Sequence, residues 1–142
     1  MATLKGVNRT KADSPSSDNI LSPGTLGGRV RVLTDSITLA AAQIADTVQI
    51  GRDLPAGAIV LGYKLQWAAL GAATTLDFGD EDTAARYLAA EATNAAGEAR
   101  TVLIGGLQYK IGTIADDNTL ILTIGGGVAT GLVYIEVYYT ED

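Results

Sequence analysis

The residues best equipped for chemistry in this 142-residue chain form one short run, Asp77-Phe78-Gly79-Asp80-Glu81-Asp82. Closely spaced carboxylates around a glycine are hard oxygen donors, so Asp77, Asp80, Glu81 and Asp82 are candidate ligands for a calcium ion. Their spacing differs from that of the twelve-residue calcium loop between helices. Asp-Phe-Gly matches the magnesium-binding triplet of protein kinases. The glycine-rich loop, strand lysine and catalytic-loop aspartate that accompany that triplet are missing here. The same run equally suits a solvated turn between two strands, with Asp80 capping it.

Other clusters carry less. Asp116-Asp117-Asn118 is expected to be a turn, because Asp and Asn side chains bond nearby backbone there. Gly125-Gly126-Gly127 lacks the lysine and the following helix of a phosphate-binding loop. The chain has no His and no Cys. The commonest general base, the commonest transition-metal ligand, the thiolate nucleophile and the disulfide are all excluded. Ser, Thr and Tyr hydroxyls therefore have no imidazole to activate them. Paired carboxylates for glycoside cleavage are compatible with the composition. Sugar-binding aromatics are scarce, however, at 6% aromatic residues. No enzyme activity and no cofactor are expected.

The elements that must position these residues are strands. From Ala58 to Leu70, Ile59, Leu61, Tyr63, Leu65, Trp67 and Ala69 alternate with Gly62, Lys64, Gln66 and Ala68. Period two marks a strand with one buried and one wetter face, and Gly62 within it signals a bulge or a close backbone approach. Further strands are expected over Arg29–Leu33 (Val30 and Val32 inward), Ser36–Leu39, Asp46–Ile50, Thr74–Phe78, Thr83–Ala90, Ala99–Ile104, Leu107–Ile111, Thr119–Ile124 and Leu132–Thr140. Gly105-Gly106 resembles a two-residue hairpin turn. In the last strand Val133, Ile135, Val137 and Tyr139 share one face. Leu132, Tyr134, Glu136 and Tyr138 share the other, which is too aromatic for plain solvent. Short strands with turns every 8–12 residues predict an all-β fold, an antiparallel β-sandwich of jelly-roll type.

Residues 1–27 differ in composition and read as an extended N-terminal arm before a β domain of residues 28–142. They are rich in Gly, Pro and Ser and hold no hydrophobic period. Their charge differs too. Through Arg31 the chain carries Lys5, Arg9, Lys11, Arg29 and Arg31 against Asp13 and Asp18, a net of +3, and the remainder carries -9. A basic arm on an acidic body suits docking on a partner, with those five cations, Tyr134 and Tyr138 as candidate contacts, and equally suits a disordered terminus with incidental charges. The overall charge of -6 disfavours nucleic acid as that partner. No apolar run reaches the length of a membrane span and no secretory leader is evident, so an intracellular, soluble product is expected.

The ordered pattern of short motifs supplies one more reading. Gly27-Gly28-Arg29-Val30-Arg31-Val32 comes first, then Leu54-Pro55-Ala56-Gly57-Ala58 leading a strand. Leu70-Gly71, Thr75-Leu76-Asp77-Phe78-Gly79-Asp80 and Arg86-Tyr87-Leu88-Ala89-Ala90 follow. Ala129-Thr130-Gly131 leads the closing strand, which ends Val137-Tyr138-Tyr139. Together these residues resemble the small head-decoration, or cement, proteins of tailed bacteriophages. The resemblance implies a jelly-roll virion protein, assembled in the host cytoplasm and bound to the major capsid protein on the capsid surface. It also implies self-association as a homotrimer, and no catalytic residues. Tail or fibre components of the same fold, and a carbohydrate- or calcium-binding sandwich module, are the alternatives.

Overall fold

The computed structural model describes residues 29–102 and 108–141. Nine strands make up all the regular structure among them: β1 (Arg29–Ala42), β2 (Thr47–Gln49), β3 (Ile59–Trp67), β4 (Thr75–Asp80), β5 (Leu88–Ala92), β6 (Gly97–Val102), β7 (Tyr109–Lys110), β8 (Leu120–Gly125) and β9 (Ala129–Glu141). They form two antiparallel sheets. One runs β1-β9-β3-β6, with β7 also on β3, and the other runs β2-β8-β4-β5. The architecture is an antiparallel β-sandwich.

The core lies between the sheets. Tyr63, Leu65 and Trp67 of β3 and Val133, Ile135, Val137 and Tyr139 of β9 face Leu76 and Phe78 of β4 and Leu120, Leu122 and Ile124 of β8; all are buried. Phe78 is the central contact. Its ring meets Tyr63 edge-on at 5.2 Å and Tyr87 at 5.1 Å. Each large side chain so buried contributes roughly 1.5–3 kcal/mol.

Several expectations need correction. Arg29–Leu33 and Ser36–Leu39 are one strand, because β9 pairs with it in unbroken register from Arg29↔Glu141 to Leu39↔Gly131. Val30 and Val32 do not point inward. They are 60% and 51% exposed, and Leu33 and Leu39 fill the inner phase. The core side of this strand is set by where the second sheet lies, and its β2 is only three residues long.

In β3 the alternation reverses. Val60 is buried while Ile59 and Leu61 are half-buried, because the register on β9 shifts between Val60 and Gly62. The strand then stops at Trp67, which leaves Ala69 exposed. Residues 83–87 form a turn rather than a strand, and β5 runs past Ala90 to Ala92. Gly105-Gly106 lies outside the described residues. The strands on either side are not hairpin arms, since both run antiparallel to β3 along the same edge, Val102 opposite Gly62 and Tyr109 opposite Val60.

Candidate partner-binding surfaces

The acidic run ends β4 and turns back over it. Asp80 is completely buried. Its carboxylate accepts the Thr83 N–H at 2.8 Å and is clamped by the Arg86 guanidinium through both oxygens. Arg86 also donates to Asp82 at 2.8 Å and to Thr83 Oγ1 at 3.2 Å, and its guanidinium lies 3.9 Å over the Tyr109 ring. Burial disfavours the charge on Arg86, but the hydrogen bond and charge of Asp80 outweigh it and raise its pKa. Gly79 makes the fold-back possible: a Cβ there would collide with the Thr83 carbonyl oxygen and sit 2.5 Å from the Ala84 carbonyl carbon.

The other two carboxylates point elsewhere. Asp77 Oδ1 accepts the Ala90 N–H at 2.5 Å, holding β5 where Ala90 takes a φ of 50°. Glu81 Oε1 accepts from Gln49 Nε2 at 2.7 Å. Among the described residues no three of Asp, Glu, His or Cys converge as metal ligands. A ligand bound only by the folded state must raise its stability. With these carboxylates committed to internal donors, calcium is expected to leave the melting temperature where a chelator leaves it; a calcium-dependent rise would mean the turn rearranges around an ion.

Asp117 is a second buried carboxylate, and it bonds more than its own turn. It accepts the N–H groups of Gly112 (3.0 Å), Thr113 (2.9 Å) and Ile114 (3.1 Å), and the Tyr109 hydroxyl (2.9 Å). Burial opposes its charge. The Ile114 and Gly112 amides, the Tyr109 hydroxyl and the Thr113 amide overcome that, so its pKa falls below the ordinary 3.8. The folded state thus binds this proton less readily than the unfolded chain. The stability gained is fully present above about pH 4 and is lost as pH falls through the lower folded value. Urea unfolding of Asp117→Asn and the parent chain from pH 7 to pH 3 is expected to show the parent more stable at pH 7, the gap narrowing toward pH 3. A gap independent of pH would contradict this role.

The outer face of the five-stranded sheet carries the C-terminal tyrosines. Tyr134 and Tyr138 flank Glu136 on β9, their hydroxyls donating to its two oxygens at 2.7 Å and 2.6 Å. Those bonds lower the Glu136 pKa against a small desolvation effect, helped by the charges of Lys64 and Arg100. Register places Lys64 opposite Glu136 and Arg100 opposite Lys64. Around this row of one carboxylate and two cations lie Val30, Val32 and Leu132, each about half exposed or more. Val32 sits directly opposite Tyr138.

Arg29 and Arg31 are in the opposite phase of β1, and Arg31 pairs with Glu141. The structure therefore separates these arginines from the tyrosines. Lys5, Arg9 and Lys11 lie outside the described residues. Sequence reasoning missed Val30 and Val32 as members of the outer face; only pairing with β9 reveals them.

Comparison with known proteins then bears on what such a face serves. No family model matches the chain, and no curated protein matches it. Solved structures do. A chain of the cyanophage Pam1 capsid asymmetric unit is 26% identical over 91% of this chain and 99% of that one, with a TM-score of 0.65. A chain of the Ralstonia phage GP4 capsid is 21% identical over 81% and 86%, with a TM-score of 0.60. A chain of the acid-stable capsid of Helicobacter pylori bacteriophage KHP30 is 15% identical over 79% and 87%, with a TM-score of 0.57. At their identities the last two speak to fold alone. The Pam1 likeness, spanning nearly the whole of both chains, supports a structural protein of a phage virion.

Proposed function

We propose that this chain is a head-decoration protein, bound through the major capsid protein to the outer surface of a phage capsid and stabilising it. The observation that carries the reading is the near-complete mutual coverage with a Pam1 capsid chain, which is therefore of about the same length. A single small sandwich is suited to adding a layer on a shell. It offers one half-apolar sheet face around Tyr134 and Tyr138, and an N-terminal arm of residues 1–27 whose Lys5, Arg9 and Lys11 outnumber Asp13 and Asp18.

Self-association, as the trimer that the resemblance implies, would let weak individual contacts act together, because engaged neighbours raise the effective concentration of the rest.

The test adds purified protein to heads stripped of it. Full-length chain is expected to rebind, and chain lacking residues 1–27 to bind at least tenfold more weakly, the equivalent of about 1.4 kcal/mol. Undiminished occupancy would remove the arm from the proposal. Failure of the full-length chain to bind at all would remove the decoration role.

A further inference from the structure

One side of the sandwich is open. β1 is the edge of one sheet and β2 the edge of the other, and neither pairs further among the described residues. A seam runs between them. Its deeper part, a cavity of about 100 Å³, is lined by Asp35, Ile37 and Val48 and reaches core residues Leu122, Val133 and Ile135. It continues as a groove of about 560 Å³ between Ile37–Ala42 and Ala45–Val48. Fourteen residues of β1 border this side. An unpaired strand edge offers a row of free N–H and C=O groups to another extended segment, with alternate side chains entering the pockets beneath.

The seam also has a sign. From Asp35 to Val48 its lining includes Asp35 and Asp46, each also accepting a nearby backbone N–H, and no Lys or Arg; the cations of this edge, Arg31 and Arg52, line a separate groove toward the start of β1. The start of the same chain, Met1–Lys11, has the complementary composition: Lys5, Arg9 and Lys11, no acid, and Leu4 and Val7 as apolar side chains. Twenty-eight residues precede β1, and at about 3.3 Å per extended residue they reach far beyond one sandwich. The rest of the chain is strongly acidic, so neighbouring copies repel one another. A basic segment laid across the next copy's seam offsets that repulsion.

We propose that residues 1–11 of one copy seat in the β1–β2 seam of a neighbouring copy, adding an extended segment to the open edge of β1. This rests on the self-association in the reading above, and it gives the arm a partner other than the capsid shell.

The chain has no Cys, so an engineered pair reacts alone. Full-length Val7→Cys/Thr38→Cys, with Thr38 exposed in the groove lining, is oxidised in free solution and run on a denaturing gel. Covalent dimers and larger species are expected, and raising the salt concentration suppresses them. The control, Val7→Cys/Ala89→Cys, places the second thiol on β5 at the edge of the other sheet remote from β2 and is expected to stay monomeric. Closure within single chains, equal linkage at Ala89, or no linkage would each overturn the proposal. Because no heads are present, those outcomes leave the decoration role standing, and loss of head binding with the cross-link intact would do the reverse.

Discussion

Arg86→Ala is expected to lower the unfolding free energy by about 3–5 kcal/mol, because it strands a buried carboxylate without its cation. Asp80 has no solvent exposure, and the Thr83 amide alone cannot replace both guanidinium bonds. The same change removes the bond to Asp82 and the contact with the Tyr109 ring, so the turn over Gly79 loses its lock. Lysine would not restore it, since a point charge cannot engage both Asp80 oxygens and stack on Tyr109. Urea unfolding followed through the single tryptophan, Trp67, measures the loss. Asp80→Asn with Arg86→Ala is expected to cost less than the sum of the two single changes, as for any pair in direct contact. A loss under about 1 kcal/mol for Arg86→Ala would mean that Asp80 finds another partner and that the clamp is not what closes the turn.

Phe78→Ala is expected to cost a similar 3–5 kcal/mol. The ring is fully buried and touches Tyr63 from one sheet and Tyr87 from the turn, so its removal opens a cavity at the centre of the sandwich. Against a typical total stability of about 5–15 kcal/mol, such a loss can approach unfolding. Phe78→Leu, expected to cost less, keeps the measurement readable. A negligible loss for both would place the core elsewhere.

Both effects arise in the stretch that looked most chemical in the sequence, and the contrast shows what local pattern can and cannot reveal. Tyr63, Leu65 and Trp67, and Val133, Ile135, Val137 and Tyr139, were legible as core because the apolar phase of each alternating run is also the phase that faces the second sheet. Val30 and Val32 were misread because a strand's core side depends on how far the facing sheet extends, which no local pattern encodes. The phase change at Val60 followed from a bulge that Gly62 signalled without specifying its direction.

The Asp80–Arg86 clamp was hidden for a different reason. Four carboxylates in six residues look solvated, and only the packing of Phe78, Tyr87 and Tyr109 around them makes a buried ion pair. The gathering of three backbone amides and a tyrosine by Asp117 is likewise a product of loop closure. Of the surfaces, the tyrosine pair was legible from its spacing. The β1–β2 seam was not, because it exists only once the sheet order defines which strands are edges.

The most direct measurement is a cryo-EM map of the phage particle that carries this protein. The expected result is copies of the sandwich on the outside of the head, with the Tyr134–Tyr138 face against the shell or a neighbouring copy. Sandwich density confined to the tail or fibres, or a head surface without it, would contradict the decoration role.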